Sequence, residues 1–315
     1  MVRVALLFPG QGSQRVGMGA SFAAASPRAA ALFESASRLL GRDLLALCTH
    51  GPEDDLRVTM NTQPALFVCS CAARSMLREQ WDGTPFAAAG HSVGEYAALV
   101  AAGVFDFETG LRLVDRRARL MQEAAEARPG TMAAVLGLDD GGVQAACDEG
   151  RRAGVVVVAN LNCPGQVVIS GEVPAVEAAS EAARARGAKR VVPLAVSGGF
   201  HSPLMAAAGD ALYPELREAR ARQPQFPVVA NVTAEYCTHG VDVAPNLTMQ
   251  ISGTVRWERS IRRLLEDGVN AFVELGSGDV LAGLLRRIDR NARVVSVQDT
   301  ETLAAAVAML RDEAA

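Results

Sequence analysis

The stretch Phe86-Ala-Ala-Ala-Gly-His-Ser-Val-Gly-Glu-Tyr96 runs from a short apolar segment through a G-x-S-x-G turn into an alanine-rich segment. An apolar run of this length closed by glycine reads as a buried parallel strand, and Glu95 to Ala102 has the composition of a helix. Glycine at 90 and 94 permits a tight, strained turn. Such a turn holds Ser92 with its hydroxyl exposed at a helix N-terminus, where the backbone N–H of Val93 can face a developing oxyanion. The five-residue pattern alone is common in proteins, but in a strand-turn-helix setting it predicts a nucleophile elbow.

Strand and helix patterns alternate on both sides of the elbow. Val2 to Phe8 is an apolar run stopped by Pro9-Gly10. Helical patterns cover Ala20 to Leu40, Ala65 to Gln80 and Phe107 to Glu126, with Thr62 and Pro64 suited to the start of the second. Pro129-Gly130 then breaks the rhythm. Strand Met132–Leu136, helix Gly142–Glu149, strands Val155–Asn160 and Gln166–Ser170, helix Val173–Arg186 and strand Arg190–Leu194 follow the βαββαβ order of a ferredoxin-like unit. After it come helix Met205–Arg222, strand Val228–Ala230, helix Arg256–Asp267, strand Ala271–Leu275, helix Val280–Ile288, strand Arg293–Val297 and helix Thr302–Arg311. The expected fold class is α/β: a large domain (1–127 and 197–315) with a mainly parallel sheet and a hydrolase-like nucleophile elbow, plus an inserted ferredoxin-like small domain (128–196).

Composition removes competitors. With 315 residues, half of them hydrophobic, the chain can bury a large core. A net charge of −4 supplies no cationic field for a phosphate backbone, so no nucleic-acid partner is expected. Lys189 is the sole lysine, and no G-K-[ST] phosphate loop is present. The six cysteines lack the paired spacing of a zinc site and read as reduced thiols, and no metal is expected. Met1 to Phe8 is too short for a signal sequence and no later run has the length of a membrane span, so a cytoplasmic, monomeric enzyme without a membrane partner is expected.

A serine nucleophile needs a base, and the chain has four histidines. His91 adjoins Ser92 on a sharp turn and reads as a packing residue; His50 and His239 lie in polar, loop-like stretches. His201, in Ser197-Gly-Gly-Phe-His-Ser-Pro203, sits in a glycine-rich loop before a helix, which makes it the candidate base. Between serine and histidine, where an α/β-hydrolase has its acid, the acids lie on or at the starts of the expected helices; Glu274, at the end of a strand, follows the histidine instead. A backbone carbonyl or an amide side chain could therefore orient His201. Arg117 falls in the middle of the apolar face formed by Leu113, Val114, Leu120 and Met121, whereas Arg112, Arg116 and Arg119 face solvent. It has either an internal acid partner or a substrate carboxylate to bind. Gly10-Gln11-Gly12 has Arg15 where a dinucleotide fingerprint needs glycine, so its loop reads as a second source of oxyanion N–H groups rather than a nucleotide site.

In order along the chain, Phe8-Pro-Gly-Gln-Gly-Ser-Gln14, Thr62-Gln-Pro-Ala65, Gly90-His-Ser-Val-Gly-Glu-Tyr96, Arg117 with Met121-Gln122, Asn162-Cys-Pro-Gly-Gln166, Gly199-Phe-His-Ser-Pro-Leu-Met205 and Glu274-Leu-Gly276 resemble the malonyl-CoA:acyl carrier protein transacylases of fatty acid synthesis and the related acyltransferase domains of polyketide synthases. The resemblance implies a nucleophile at Ser92, a base at His201, oxyanion amides at Gln11 and Val93, a carboxylate clamp at Arg117, Gln63 near the acyl pocket, and Gln250 as the residue whose main-chain carbonyl orients the histidine. It also implies no bound cofactor, a coenzyme A thioester (malonyl-CoA) as substrate and an acyl carrier protein as partner. Phe200 and Val93 resemble the residues that accompany malonyl preference in those acyltransferases. Ser277 and Cys163 depart from the family's usual proline and serine. A serine esterase or thioesterase, and a polyketide acyltransferase with other extender units, are the alternatives.

Overall fold

The computed structural model describes residues 3–311; Val2, expected within the first strand, lies outside them. Ten strands are formed among the described residues: β1 (Val4–Phe8), β2 (Ala87–Gly90), β3 (Thr131–Leu136), β4 (Val156–Cys163), β5 (Gln166–Gly171), β6 (Arg190–Pro193), β7 (Val228–Val229), β8 (Tyr236–Cys237), β9 (Ala271–Leu275) and β10 (Arg293–Val297). One sheet has the order β10-β9-β1-β2-β7-β8, parallel throughout except for the β7–β8 pair at its edge. Its central strands are apolar along their whole length because helices cover both faces. Along β1, Leu6 and Phe8 point into one core, Ala5 and Leu7 into the other. The fold class is the expected mixed α/β one.

The second sheet, β4-β5-β3-β6, is antiparallel, with the first and third strands of its βαββαβ unit at the centre, the ferredoxin-like arrangement. Helices Asp140–Gly150 and Val173–Ala185 pack on it around Val135, Val143, Val156 and Ile169. Val255 pairs with the free edge of β4: its N–H donates to Ala159 O at 2.8 Å and its carbonyl accepts from Leu161 N at 2.9 Å. Register shifts between Val158 and Asn160 and between Leu161 and Cys163 kink β4 where it meets the larger sheet.

Several elements differ from expectation. Ala20 to Leu40 is two helices, Ala20–Ala25 and Pro27–Leu40, because Ser26 is extended and caps the second, accepting from Ala29 N at 3.3 Å. The long helix Thr59–Gln80 begins upstream of Thr62 and carries Pro64 inside it. Proline removes a helical donor to Met60 O, and Arg42 Nη2 donates to that carbonyl at 2.9 Å instead. A 3₁₀ turn, Pro203–Met205, precedes helix Ala206–Glu218, which stops short of the expected Arg222. Helices Leu44–His50, Glu53–Arg57 and Val243–Ser252 and strand β8 had no distinct pattern. No helix among the described residues is long and apolar enough to cross a membrane.

Candidate active site

Three neighbouring strands deliver the centre of the site. The residues just beyond the carboxyl ends of β1, β2 and β7 are the Gly10-Gln11 loop, Ser92 and Asn231, and a parallel α/β sheet places its ligands at those ends. The turn after β2 is as tight as the sequence predicts. Ser92 has φ of 52°, a left-handed conformation that an L residue adopts only when its surroundings impose it. A Cβ at Gly90 would collide with the Gly94 carbonyl, one at Gly94 with the Phe8 carbonyl oxygen, and one at Gly10 with the His91 carbonyl. The loop after β1 therefore presses on the elbow, and Gln11 and Val93 line the same cleft as Ser92. Asn231 closes the turn: its Oδ1 accepts from Ser92 N and its Nδ2 donates to Gly90 O, both at 2.7 Å.

Ser92 Oγ lies 2.8 Å from His201 Nε2, and His201 Nδ1 lies 2.8 Å from the main-chain oxygen of Gln250. A carbonyl can only accept, so the proton sits on Nδ1 and Nε2 is free to receive the serine proton. Burial, with the Arg117 charge second, depresses the His201 imidazole to about 3, which keeps it neutral near pH 7. No acid takes part. Glu274 is fully buried elsewhere, where it accepts from Leu281 N and Ala282 N at 3.0 Å and from Ser296 Oγ at 2.8 Å, capping helix Val280–Ile288.

Arg117 is buried and enters no ion pair among the described residues. It donates to three uncharged acceptors: Gln63 Oε1 at 2.5 Å, Gln250 Oε1 at 3.0 Å and Ser92 Oγ at 3.0 Å. Its Nε is sealed from solvent without a partner. The Glu95 carboxylate influences it through space without touching it. Arg112, Arg116 and Arg119 form surface ion pairs with Glu108, Glu215 and Asp115.

Glu95 and Asn231 did not stand out as site residues, yet both are buried and bind the machinery. Glu95 Oε2 accepts from Gln250 Nε2 at 2.7 Å and from Asn231 N at 3.1 Å, and burial pushes its carboxyl up to about 7. Gln250 Nε2 also donates to Ser92 O at 2.9 Å. An asparagine directly after a short strand beside the elbow strand was the available signal for Asn231. His91 packs as expected, its Nε2 3.0 Å from Asn162 Oδ1 and its ring 5.5 Å from that of Trp257. His50 and His239 are exposed, although His50 ends a helix rather than lying in a loop.

These groups face a cleft of about 140 Å³ between the two sheets, with Gln63, Phe200 and Met121 on one side and Asn160, Asn162 and Val168 on the other. A half-buried serine hydrogen-bonded to a buried imidazole, beside an uncompensated guanidinium, suits acyl transfer from a substrate that carries a free carboxylate.

The acyl transferase domain model matches residues 5–315. The malonyl CoA-acyl carrier protein transacylase of Bacillus subtilis is 42% identical over 314 residues, covering 99% of each chain. That of Escherichia coli is 43% identical over 307 residues, 98% of this chain and 99% of its own. Among solved structures, a malonyl-transacylase in complex with its type II polyketide synthase acyl-carrier protein superposes with a TM-score of 0.95 at 43% identity, covering 98% of this chain and 99% of that one. The transacylase of Coxiella burnetii does so with a TM-score of 0.95 at 37% identity, covering 98% of both chains.

Proposed function

We propose, from the premise that the chain belongs to the acyl transferase domain family, that it moves malonyl from malonyl-CoA to the phosphopantetheine thiol of an acyl carrier protein. The observation that carries the substrate is Arg117, a buried cation without a carboxylate partner, 3.0 Å from the nucleophile. In this reading His201 Nε2 takes the Ser92 proton as Oγ attacks the thioester carbonyl. The Gln11 and Val93 amides hold the oxyanion while Arg117 grips the free malonyl carboxylate, with Gln63 fixing the guanidinium. The C–S bond breaks, His201 returns the proton to the coenzyme A thiolate, and malonyl-serine remains. The carrier thiol then gives its proton to His201 and attacks the ester carbonyl; the acyl C–Oγ bond breaks, His201 returns the proton to Ser92 Oγ, and the carrier leaves as the malonyl thioester. The chain's own groups supply every step, so no bound cofactor is required. Phe200, buried against the cleft, narrows the space for an α-branch, a discrimination of about 1–3 kcal/mol per methylene.

We further propose that the large catalytic domain comprises 1–127 and 197–315 and the small one 128–196, so that the cleft lies where the two meet, and that the enzyme works in the cytoplasm. An acidic carrier would dock on the groove between the β4–β5 turn, the start of β6 and helix Val280–Ile288, where Lys189, Arg190 and Arg287 come together. Reversing Arg190 and Arg287 to glutamate should raise the carrier KM and leave that of malonyl-CoA unchanged.

The deciding experiment incubates the chain with malonyl-CoA and follows the Ser92 peptide by mass spectrometry. A malonyl adduct that a holo carrier protein discharges much faster than water does is the expected result. Discharge by water at the same rate would make the chain a thioesterase and overturn the reading.

A further inference from the structure

Arg74 and Arg78 lie one turn apart on the long helix Thr59–Gln80, well beyond the Gln63 end that serves the active site. They border a separate cavity of about 220 Å³ between this helix and helix Gly94–Ala101, walled also by Leu32, Val100 and Phe107. Arg117 and Arg74 are both guanidiniums drawn into the protein, but their surroundings differ. Arg117 has three acceptors. Arg74 is half-buried with none: its Nε and Nη1 are sealed from solvent and find no partner.

The electrostatics of the cavity point one way. Burial pulls Arg74 down to about 10, the Arg78 charge adds to that, and no carboxylate acts in the opposite direction. The Cys71 thiol in the same wall is pushed up by burial and stays uncharged. Two positive charges therefore share a cavity whose other walls, Ser75 and Cys71 aside, are aliphatic and aromatic, without a counter-charge. Leaving a guanidinium partly desolvated and unpaired is costly, and an incoming oxyanion removes that cost. A bare anion would leave the apolar walls wet, whereas an apolar chain on the anion covers them. The concave shape suits a short chain better than a flat protein surface.

We propose that this cavity is a binding site for an amphiphilic anion, with a carboxylate or phosphate head on Arg74 and Arg78 and an apolar chain against Leu32, Val100 and Phe107. It is distinct from the acyl-transfer cleft and does not depend on the reaction assigned there.

The test is calorimetric titration of the full chain in saturating malonyl-CoA, which occupies Arg117. Octanoate and octyl phosphate are the amphiphilic probes; octanol and inorganic phosphate are the half-probes. At least one amphiphile should bind saturably, and both half-probes should bind about tenfold more weakly or worse, because each lacks either the charge-assisted hydrogen bonds or the apolar contact. The ratio of octanoate to octyl phosphate affinity identifies the head group. Arg74→Gln should weaken the amphiphile about tenfold while leaving malonyl loading of Ser92 unchanged, and the exposed Arg78→Gln should weaken it in the same direction, which covers the case in which the first variant folds poorly. The proposal is overturned if neither amphiphile binds, if octanol or inorganic phosphate binds as tightly as the amphiphile, or if both variants retain full affinity.

Discussion

Ser92 and His201 meet at 2.8 Å, but the two halves of the dyad are held by different means. The serine half is built on a tight turn. Gly90 and Gly94 let the chain turn where any Cβ would collide with backbone, Ser92 sits there in a left-handed conformation, and Asn231 clasps the turn from the end of β7. The histidine half is assembled at long range: its Nδ1 rests on the carbonyl of Gln250, near the end of helix Val243–Ser252, and the Gln250 amide rests on Glu95 and on Ser92 O. Both residues have a left-handed backbone, with φ of 52° at Ser92 and 57° at His201, but steric exclusion around Gly90 and Gly94 holds Ser92, the proposed nucleophile, whereas hydrogen bonds and burial orient the ring of His201, the proposed base. The first should therefore fail together with the fold, and the second should fail by itself.

Paired substitutions test this most directly. His201→Ala should lower the malonyl-loading rate by about 10⁴-fold or more with little loss of thermal stability, as removing a catalytic base does in serine enzymes. Gly90→Ala should lose activity and melting temperature together, because the added methyl meets the Gly94 carbonyl. A Gly90→Ala protein of unchanged melting temperature would end the distinction between the halves. A smaller effect is expected at Arg117, which touches both: it donates to Ser92 Oγ and to the Gln250 side chain. Arg117→Ala should cut malonyl loading by roughly 100-fold and raise acetyl transfer relative to malonyl, since only malonyl has a carboxylate to lose contact with. An equal fall for both acyl groups would reduce Arg117 to a support for the dyad. At Asn231, which satisfies two backbone groups of the elbow, alanine should lower kcat about 10-fold to 100-fold with a modest change in KM, the size of about 1–3 kcal/mol for one polar group left unmet, water reaching the other.

The same division explains what could be read from the chain. The elbow was legible because its cause lies in Gly90-x-Ser92-x-Gly94 itself, and the two sheets were legible because strand and helix periodicity is local. Arg117 was legible as an inner-face residue but not as one without an acid partner, because its acceptors, Gln63 and Gln250, lie on other helices. The helix Val243–Ser252 has no distinct sequence pattern; it is short, with Pro245 in its first turn, and Gln250 gained a role only through the family resemblance. Asn231 carried only its place after a short strand and Glu95 no signal of its own, since a buried amide and a buried carboxylate acquire meaning from the groups that fold onto them. Pro64 misplaced a helix start because the side chain that takes over its helical acceptor, Arg42, comes from another part of the chain.

Glu95 offers the finest test, because it joins the two halves by accepting from both Gln250 and Asn231. Its native carboxyl value of about 7 stands above the ordinary 4.5. Below 4.5 the native and unfolded chains are both protonated; between 4.5 and 7 the unfolded chain releases the proton first, so this group's contribution to stability is present in acid and is lost as the pH rises through 7. His201 acts in the opposite sense: its native value of about 3 lies below the ordinary 6.5, so its contribution is present above 6.5 and is lost as the pH falls towards 3. The two slopes oppose each other between 4.5 and 6.5 and flatten the wild-type profile there. Glu95→Gln removes one slope and leaves the other, so the variant should gain stability relative to wild type as pH rises from 4.5 to 7, by up to roughly 3 kcal/mol at 1.36 kcal/mol per unit. Urea unfolding of the two proteins across that range measures the difference. A constant difference would mean that Glu95 ionises like an exposed carboxyl and that the buried bridge between the histidine and serine halves does not titrate as a unit.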